Sequence, residues 1–257
     1  MPSDKEAPFF SDDHLYNNGW EAFQQQYFEN VDENKLWGTA TPQYMGDPRA
    51  AERIAKQNPN TRLIAILRNP IDRAYSHYTM SVRREIEKRN FDDSVNALLS
   101  PEHLNKYREE IPPDHHTGYT QGDENNQNKD DNYYFVWSEY GRILSHFRQF
   151  FPANQLLILY MDDLMNEPQQ SLDKVCQFLG FKEKFSPPNL GKIYHKGGTQ
   201  LIIPNTWKEK IKANPLFRFF WDKMPKPMKR NINYWYEQMN IRKNNKPQGP
   251  SNQSKQK

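Results

Sequence analysis

The strongest structural signal in the sequence lies between residues 62 and 78, which read Arg62-Leu-Ile-Ala-Ile-Leu-Arg-Asn-Pro-Ile-Asp-Arg-Ala-Tyr-Ser-His-Tyr78. The first part, residues 62–67, is a short unbroken apolar run of the kind that fills a strand buried on both faces of a sheet. Asn69 and Pro70 follow as an N-cap and a first helical residue, and they predict a helix over 71–84. The segment therefore predicts a buried strand, a tight loop and a helix.

The same alternation continues on both sides of this segment. Further helices are predicted over 49–57, 138–151 and 168–179, and a second buried strand over 155–161. Asp47 is the expected N-cap of the first of these helices, and Gly180 is expected at the C′ position of the last. Alternating helices and buried strands predict an α/β fold of three layers, α/β/α, with a central parallel sheet.

The composition sets the size of the fold. The chain has 257 residues, of which 35% are hydrophobic and 14% aromatic, and its mean hydropathy is −1.06. At about 100–200 residues per domain we expect one large domain, over 1–242. The large aromatic side chains can supply its core, while the polar stretches 112–132 and 243–257 are expected to be a flexible loop within it and a disordered tail.

Charge, cysteine and hydropathy exclude several classes. The 35 Lys and Arg against 32 Asp and Glu give a net charge of +3, too small for a dedicated nucleic-acid binder. The single cysteine, Cys176, excludes an internal disulfide and predicts a cytoplasmic location. No apolar run approaches the roughly 20 residues of a membrane helix, although residues 215–221 leave peripheral membrane contact open. His115 and His116 lack a third ligand nearby, so we expect no metal.

The end of the first predicted strand is the best place for a ligand. In open parallel sheets ligands bind beyond the carboxyl ends of the strands, and Arg68 leads from such an end directly into a helix. Free N–H groups of the first helical turn, the helix dipole, the Arg68 guanidinium and the Ser76 hydroxyl would together favour a phosphate. The alternative is that Arg68 forms an ion pair with a neighbour and Ser76 is an ordinary surface hydroxyl.

Residues 67–78 closely resemble the 3′-phosphate-binding segment of the sulfotransferase family, whose fold is P-loop-like and whose donor is 3′-phosphoadenosine 5′-phosphosulfate (PAPS). In that family an Arg at the end of a strand and a Ser eight residues later hold the 3′-phosphate. The resemblance implies that Arg68 and Ser76 bind the nucleotide. Residues 196–199, Lys-Gly-Gly-Thr, resemble the late loop that closes over the same phosphate, which implies roles for Lys196 and Gly197, although an ordinary turn explains four residues equally well.

Two N-terminal stretches extend the resemblance. Residues 5–11, Lys-Glu-Ala-Pro-Phe-Phe-Ser, resemble a segment of bacterial and heparan-type sulfotransferases whose Glu is the proposed base, which implies that Glu6 is catalytic. Residues 41–44, Thr-Pro-Gln-Tyr, resemble the family's Lys-Ser/Thr-Pro-x-Tyr segment, with Ala40 in place of the Lys. Residues 155–180 resemble the family's late strand and helix.

One expected part is absent from the sequence. The family's 5′-phosphosulfate loop, a glycine-containing turn with a Lys, normally precedes the segment that carries the base. Only four residues precede Lys5, and no similar turn occurs elsewhere. We therefore expect Met1 to be an internal methionine of a longer protein, so that the first strand and its loop are missing, and the activity of the chain as written stays open.

Together these features predict a PAPS-dependent sulfotransferase that acts on a hydroxyl or amine of a small molecule or carbohydrate. One alternative is a non-catalytic, truncated module that binds a nucleotide or a partner. The other is a nucleotide-dependent kinase, which is disfavoured because no Mg²⁺-binding Ser or Thr follows a P-loop Lys.

Overall fold

The structure is a computed structural model that describes residues 6–28, 32, 35–83, 86–110 and 133–192, with the short pieces 200–201, 215 and 241–242. The predicted loop over 112–132 and the predicted tail over 243–257 lie outside the described residues. Lys196 and Gly197 lie outside them as well.

Helices dominate the described residues. The helices are α1 (Asp13–Asn17), α2 (Trp20–Tyr27), α3 (Gln43–Gly46), α4 (Ala50–Gln57), α5 (Pro70–Arg83), α6 (Phe91–Leu98), α7 (Pro101–Glu109), α8 (Tyr140–Phe150), α9 (Met161–Asn166) and α10 (Pro168–Leu179). Single 3₁₀ turns lie at Phe9–Ser11, Val136–Ser138 and Ala153–Gln155. The strands are β1 (Leu63–Leu67), β2 (Leu156–Tyr160), β3 (Gln200–Leu201) and β4 (Ile241–Arg242).

The sheet that carries the candidate site is parallel. Leu63 of β1 pairs with Leu156 of β2, and the register runs without interruption to Leu67 and Tyr160. The connection between these strands contains α5 to α8, which is the crossover that a parallel pair requires. The α/β class is therefore confirmed, and both strands end at the same edge of the sheet. β3 and β4 form a separate antiparallel pair.

The expected burial of both strand faces is wrong for the described residues. In β1 the side chains alternate, with Leu67 buried and Ile66 50% exposed; in β2, Tyr160 is 56% exposed. Leu67 and Tyr160 are opposite each other in the register, so their side chains lie on the same face of the sheet. On that face Leu67 of β1 is buried, whereas Tyr160 of β2 is exposed. The described parallel sheet has two strands, and it is covered incompletely on its faces.

Aromatic side chains build the core at the N-terminal end of the described chain. Phe9 is 1% exposed, and its ring lies 5.0 Å from that of Phe10 and 5.4 Å from that of Trp20, both edge-on. This cluster packs with buried residues of α4 and α8, among them Ile54 and Phe147. Aromatic packing of this kind stabilises beyond the area that it buries. It fixes the segment that carries Glu6 against the rest of the domain.

A second cluster surrounds α5 and contains a buried carboxylate. Glu87 is 5% exposed and accepts hydrogen bonds from the Arg89 guanidinium, at 2.7 Å from Nη2, and from the Tyr134 hydroxyl at 3.3 Å. Burial by itself would raise the pKa of Glu87, but the hydrogen bonds and the charge of Arg89 outweigh it, so that the pKa is lowered. A buried carboxylate is tolerated in the fold when its oxygens have hydrogen-bond partners and a counter-charge, and removing one side of such a pair is destabilising.

We predict that Glu87→Gln lowers the free energy of unfolding by about 1–3 kcal/mol at pH 7, because a neutral amide leaves Arg89 poorly paired. The folded-state pKa of Glu87 lies below its ordinary value of 4.5. Its contribution is therefore complete above pH 4.5 and is lost as the pH falls through the folded-state value. Urea denaturation from pH 7 to pH 3.5 should show the two proteins converging on the acid side. Glu52→Gln, an exposed change on α4, is the control, and a pH-independent difference would contradict the linkage.

Candidate functional site

Arg68 lies where the sequence places it, directly after β1 and two residues before α5 begins. It is exposed, and within the described ranges it forms no hydrogen bond or ion pair. The expected alternative, an ion pair with a neighbour, is thus not seen among these residues. Its guanidinium, with five donors in a planar fork, is available to an anion at the carboxyl edge of the sheet.

The start of α5 differs from the expectation of free N–H groups. The Asn69 side chain caps the helix, since its Oδ1 accepts the backbone N–H of Ile71 at 3.0 Å and of Asp72 at 3.3 Å. Pro70 has no N–H to donate, and the N–H of Arg73 is bonded to the Asn69 carbonyl oxygen. The first turn is therefore satisfied internally. An anion here would be held by side chains and by the helix dipole rather than by these N–H groups.

Ser76 lies on the second turn of α5 and is half-buried. Its hydroxyl makes no hydrogen bond to another residue in the described segments. Asp72 lies four residues earlier, and residues at this spacing share one face of a helix, so a carboxylate borders the expected phosphate position. Arg68 and Ser76 are thus joined by a single strand-to-helix turn, as the spacing predicts.

Arg73 fixes the orientation of α5 from its buried face. Its guanidinium donates to the Tyr134 carbonyl oxygen at 2.7 Å and to Ser138 Oγ at 3.2 Å, and it lies 5.8 Å from the centre of the Trp137 ring. Burial lowers the pKa of Arg73 to about 10, which leaves it charged at neutral pH. It pairs with neutral oxygens, and no described carboxylate lies within ion-pair distance. Sequence reasoning did not assign it this positioning role.

The two N-terminal segments of the resemblance meet in the structure. Ala7 is fully buried; its N–H donates to Thr41 Oγ1 at 3.1 Å, and its carbonyl oxygen accepts from the Thr41 hydroxyl at 3.2 Å and from the Tyr44 hydroxyl. Burial raises the pKa of the Tyr44 phenol, so it remains a hydrogen-bond donor. Thr41 and Tyr44 therefore hold the backbone immediately after Glu6.

Glu6 itself is exposed. Gln43, which lies between Thr41 and Tyr44 in the sequence, donates from Nε2 to Glu6 Oε2 at 3.1 Å. The Glu6 carboxylate is thus accessible from solvent and is oriented by a neutral donor. Sequence reasoning missed Gln43, because its partner lies 37 residues away and its position is variable in the motif.

A close contact connects the Glu6 region to α5. Gly46 ends α3, and a Cβ at this position would lie 2.5 Å from Trp137 Nε1. The Trp137 ring in turn stacks on the His77 ring of α5, with centroids 5.6 Å apart and planes at 24°. The helix that carries Ser76 and the segment that holds Glu6 therefore touch the same tryptophan.

Comparison with known protein families gives a match over most of the chain. The family model described as "Sulfotransferase domain" matches residues 43–248. The chain belongs to the sulfotransferase family. Arg68, Ser76, Lys196 and Gly197 lie within the matched residues, and Glu6 precedes them.

Individual relatives match this chain either over a short stretch or at low identity. The chain is 35% identical over 83 residues, 32% of its length, to the membrane-associated sulfotransferase kil1 of Dictyostelium discoideum, of which it covers 17%. It is 24% identical over 187 residues, 69% of its length, to the human heparan sulfate glucosamine 3-O-sulfotransferase 3B1, of which it covers 38%. It therefore spans less than half the length of these relatives.

A solved structure supports the fold. The crystal structure of a sulfotransferase from Alicyclobacillus acidocaldarius matches with a TM-score of 0.55 at 22% identity, covering 82% of this chain and 78% of that one. Two further observations apply to the described residues alone. Their helices are all too short or too polar to cross a membrane, and their His, Cys, Asp and Glu side chains nowhere gather in threes as a metal site requires.

We predict that Gly46→Ala destabilises the protein by about 1–3 kcal/mol, because the added methyl group would overlap the half-buried Trp137 ring and force one of the two segments to move. Gly141→Ala on α8 is the matched control, since a Cβ there meets nothing within 4 Å and alanine favours the helix by about 0.5–1 kcal/mol. Urea denaturation of both variants measures the difference. Equal stability of the two variants would show that the Gly46 contact does not constrain the fold.

Proposed function

We propose that this protein transfers a sulfuryl group from PAPS to a hydroxyl or amine acceptor. The observation that carries the proposal is the exposed Arg68 guanidinium, which lies at the carboxyl end of β1 without a partner among the described residues, in a chain of the sulfotransferase family. Arg68 would bind the 3′-phosphate through two parallel N–H groups, and the Ser76 hydroxyl would donate a third hydrogen bond. Lys196 and Gly197 are proposed to close over the same phosphate.

The described residues fit an anionic ligand through their side chains. Asn69 occupies the first-turn N–H groups of α5, so Arg68 and Ser76 supply the donors, and the dipole of this helix adds a favourable field. The nearby Asp72 carboxylate opposes an anion. The preference for a nucleotide with a 3′-phosphate over one without it would therefore depend mainly on Arg68. At a helix whose first-turn N–H groups had no partner, those groups would share this task.

Glu6 is proposed to act as the base. Its carboxylate would accept the proton of the acceptor O–H or N–H while the acceptor atom forms a bond to sulfur and the bond from sulfur to the 5′-phosphate oxygen breaks. The products are the sulfated acceptor and 3′-phosphoadenosine 5′-phosphate. PAPS supplies the activated sulfuryl group, and the protein supplies position and proton transfer.

The acceptor class follows from the relatives only as a proposal. Several matched human proteins are named for heparan sulfate glucosamine, so carbohydrates belong in the panel with phenols and amines. The cytoplasmic location expected from the single cysteine stays a prediction.

We predict that Arg68→Ala weakens binding of 3′-phosphoadenosine 5′-phosphate about 10- to 100-fold, because charged hydrogen bonds contribute about 1.5–3 kcal/mol. Ser76→Ala should weaken it about 3- to 10-fold through loss of one hydrogen bond, whose donor is uncharged. Titration calorimetry with ADP, which lacks the 3′-phosphate, should show little change in either variant. Arg148→Ala, an exposed change on α8, is the control. Unchanged affinity in Arg68→Ala would contradict the site, and ADP binding as tight as that of the 3′-phosphate nucleotide would favour the kinase alternative.

We predict that Glu6→Gln reduces sulfuryl transfer about 10²- to 10⁴-fold, the range typical of losing a general base, without changing nucleotide affinity. Labelled sulfate from PAPS and a panel of sugars, phenols and amines provide the assay, run on this chain and on a version that includes any in-frame upstream codons. Glu21→Gln, an exposed change on α2, should retain full activity. Nucleotide binding with no transfer in either version would leave the non-catalytic module as the better description.

A further inference from the structure

The hydrogen bond between Gln43 and Glu6 joins two residues that differ in their exposure to solvent. The Glu6 carboxylate is exposed, whereas Gln43 is half-buried, and its Oε1 is enclosed without a hydrogen-bond partner in the described residues. The Gln43 Nε2 group donates to Glu6 Oε2 at 3.1 Å. The opposite amide orientation would place Oε1 against the carboxylate oxygen, which is repulsive, so the carboxylate itself assigns the orientation.

Gln43 lies on a firmly held segment. It is the first residue of α3, and the Tyr44 hydroxyl that follows it donates to the buried Ala7 carbonyl oxygen. Gly46, at the other end of the helix, packs against Trp137. The backbone of Gln43 is therefore held in place, and only its side chain has to be ordered for the amide to reach the Glu6 carboxylate.

We propose that Gln43 is a positioning residue that holds Glu6 by one carboxylate oxygen and leaves the other oxygen, Oε1, to accept the acceptor's proton. This inference rests on the base role proposed for Glu6. A neutral donor orients the carboxylate without the full charge of a Lys or Arg, which would stabilise the anion and weaken it as a base.

The geometry separates this role from a purely structural one. Thr41 and Tyr44 make the buried hydrogen bonds that join the two segments through the Ala7 backbone. The bond from Gln43 to Glu6 is exposed, and exposed polar contacts contribute little to stability. Removing the Gln43 amide should therefore disturb Glu6 and spare the fold.

The contact can be tested without any enzymatic activity. The side-chain amide signals of Gln43, identified by their loss in Gln43→Ala, are recorded by ¹⁵N–¹H NMR. We expect them to move in Glu6→Ala and to remain in place in Glu21→Ala. Signals that do not respond to Glu6→Ala would overturn the proposal, whatever the activity of the protein, whereas failure of the proposed function would appear as absent sulfuryl transfer by the wild type.

The kinetic consequence is tested by changing the charge at position 43. Gln43→Ala should lower kcat about tenfold with an unchanged KM for PAPS, because the base loses its orientation. Gln43→Glu should move the acid-side fall of the pH–rate profile to higher pH, and Gln43→Lys should move it to lower pH. Gln26→Glu on α2 controls for added charge, and circular dichroism checks folding. Profiles that coincide with the wild type in both charged variants would overturn the proposal.

Discussion

The packing of Gly46 against Trp137 is the constraint on which the geometry of the site depends. Only a residue without a Cβ allows the end of α3 to approach the indole this closely. The same ring stacks on His77 of α5 and lies beside the half-buried Arg73 side chain. One aromatic ring therefore sets the distance between the segment that holds Glu6 and the helix that carries Ser76. Since protein interiors are close-packed, a shift on either side of the ring is transmitted to the other.

Arg73 shows how the fold tolerates a charge beside the Trp137 ring. The guanidinium is desolvated, yet it donates to a carbonyl oxygen and a hydroxyl, and it contacts the Trp137 face. Its Nη2 also lies 3.3 Å from His77 Nδ1, and because a guanidinium can only donate, this contact requires Nδ1 to be the acceptor. Because its pKa of about 10 is well above neutral, Arg73 remains charged near the site.

Local patterns predicted the elements, whereas the contacts between distant segments could not be predicted. Asn69 and Pro70 specify the start of α5, and Gly180 adopts the left-handed backbone, at φ 87°, that ends α10, because such signals act within a few residues. The exposure of Tyr160 depends on what covers each strand, which an apolar run does not encode. The bond between Gln43 and Glu6 spans 37 residues, and a side chain at a variable motif position gives no sign of it.

The two halves of the proposed site differ in how their groups are fixed. Glu6 is oriented by its hydrogen bond from Gln43, while Arg68 is a long exposed side chain that would have to be ordered on binding a phosphate, at a cost in conformational entropy. The capping of α5 by Asn69 removes the N–H groups that would have shared this task. In the proposed site, nucleotide recognition by the described residues would thus be concentrated in few donors, and proton transfer in one pre-oriented carboxylate. Binding of the 3′-phosphate should accordingly be sensitive to salt, because its main contact is exposed to screening, while the orientation of Glu6 should not be.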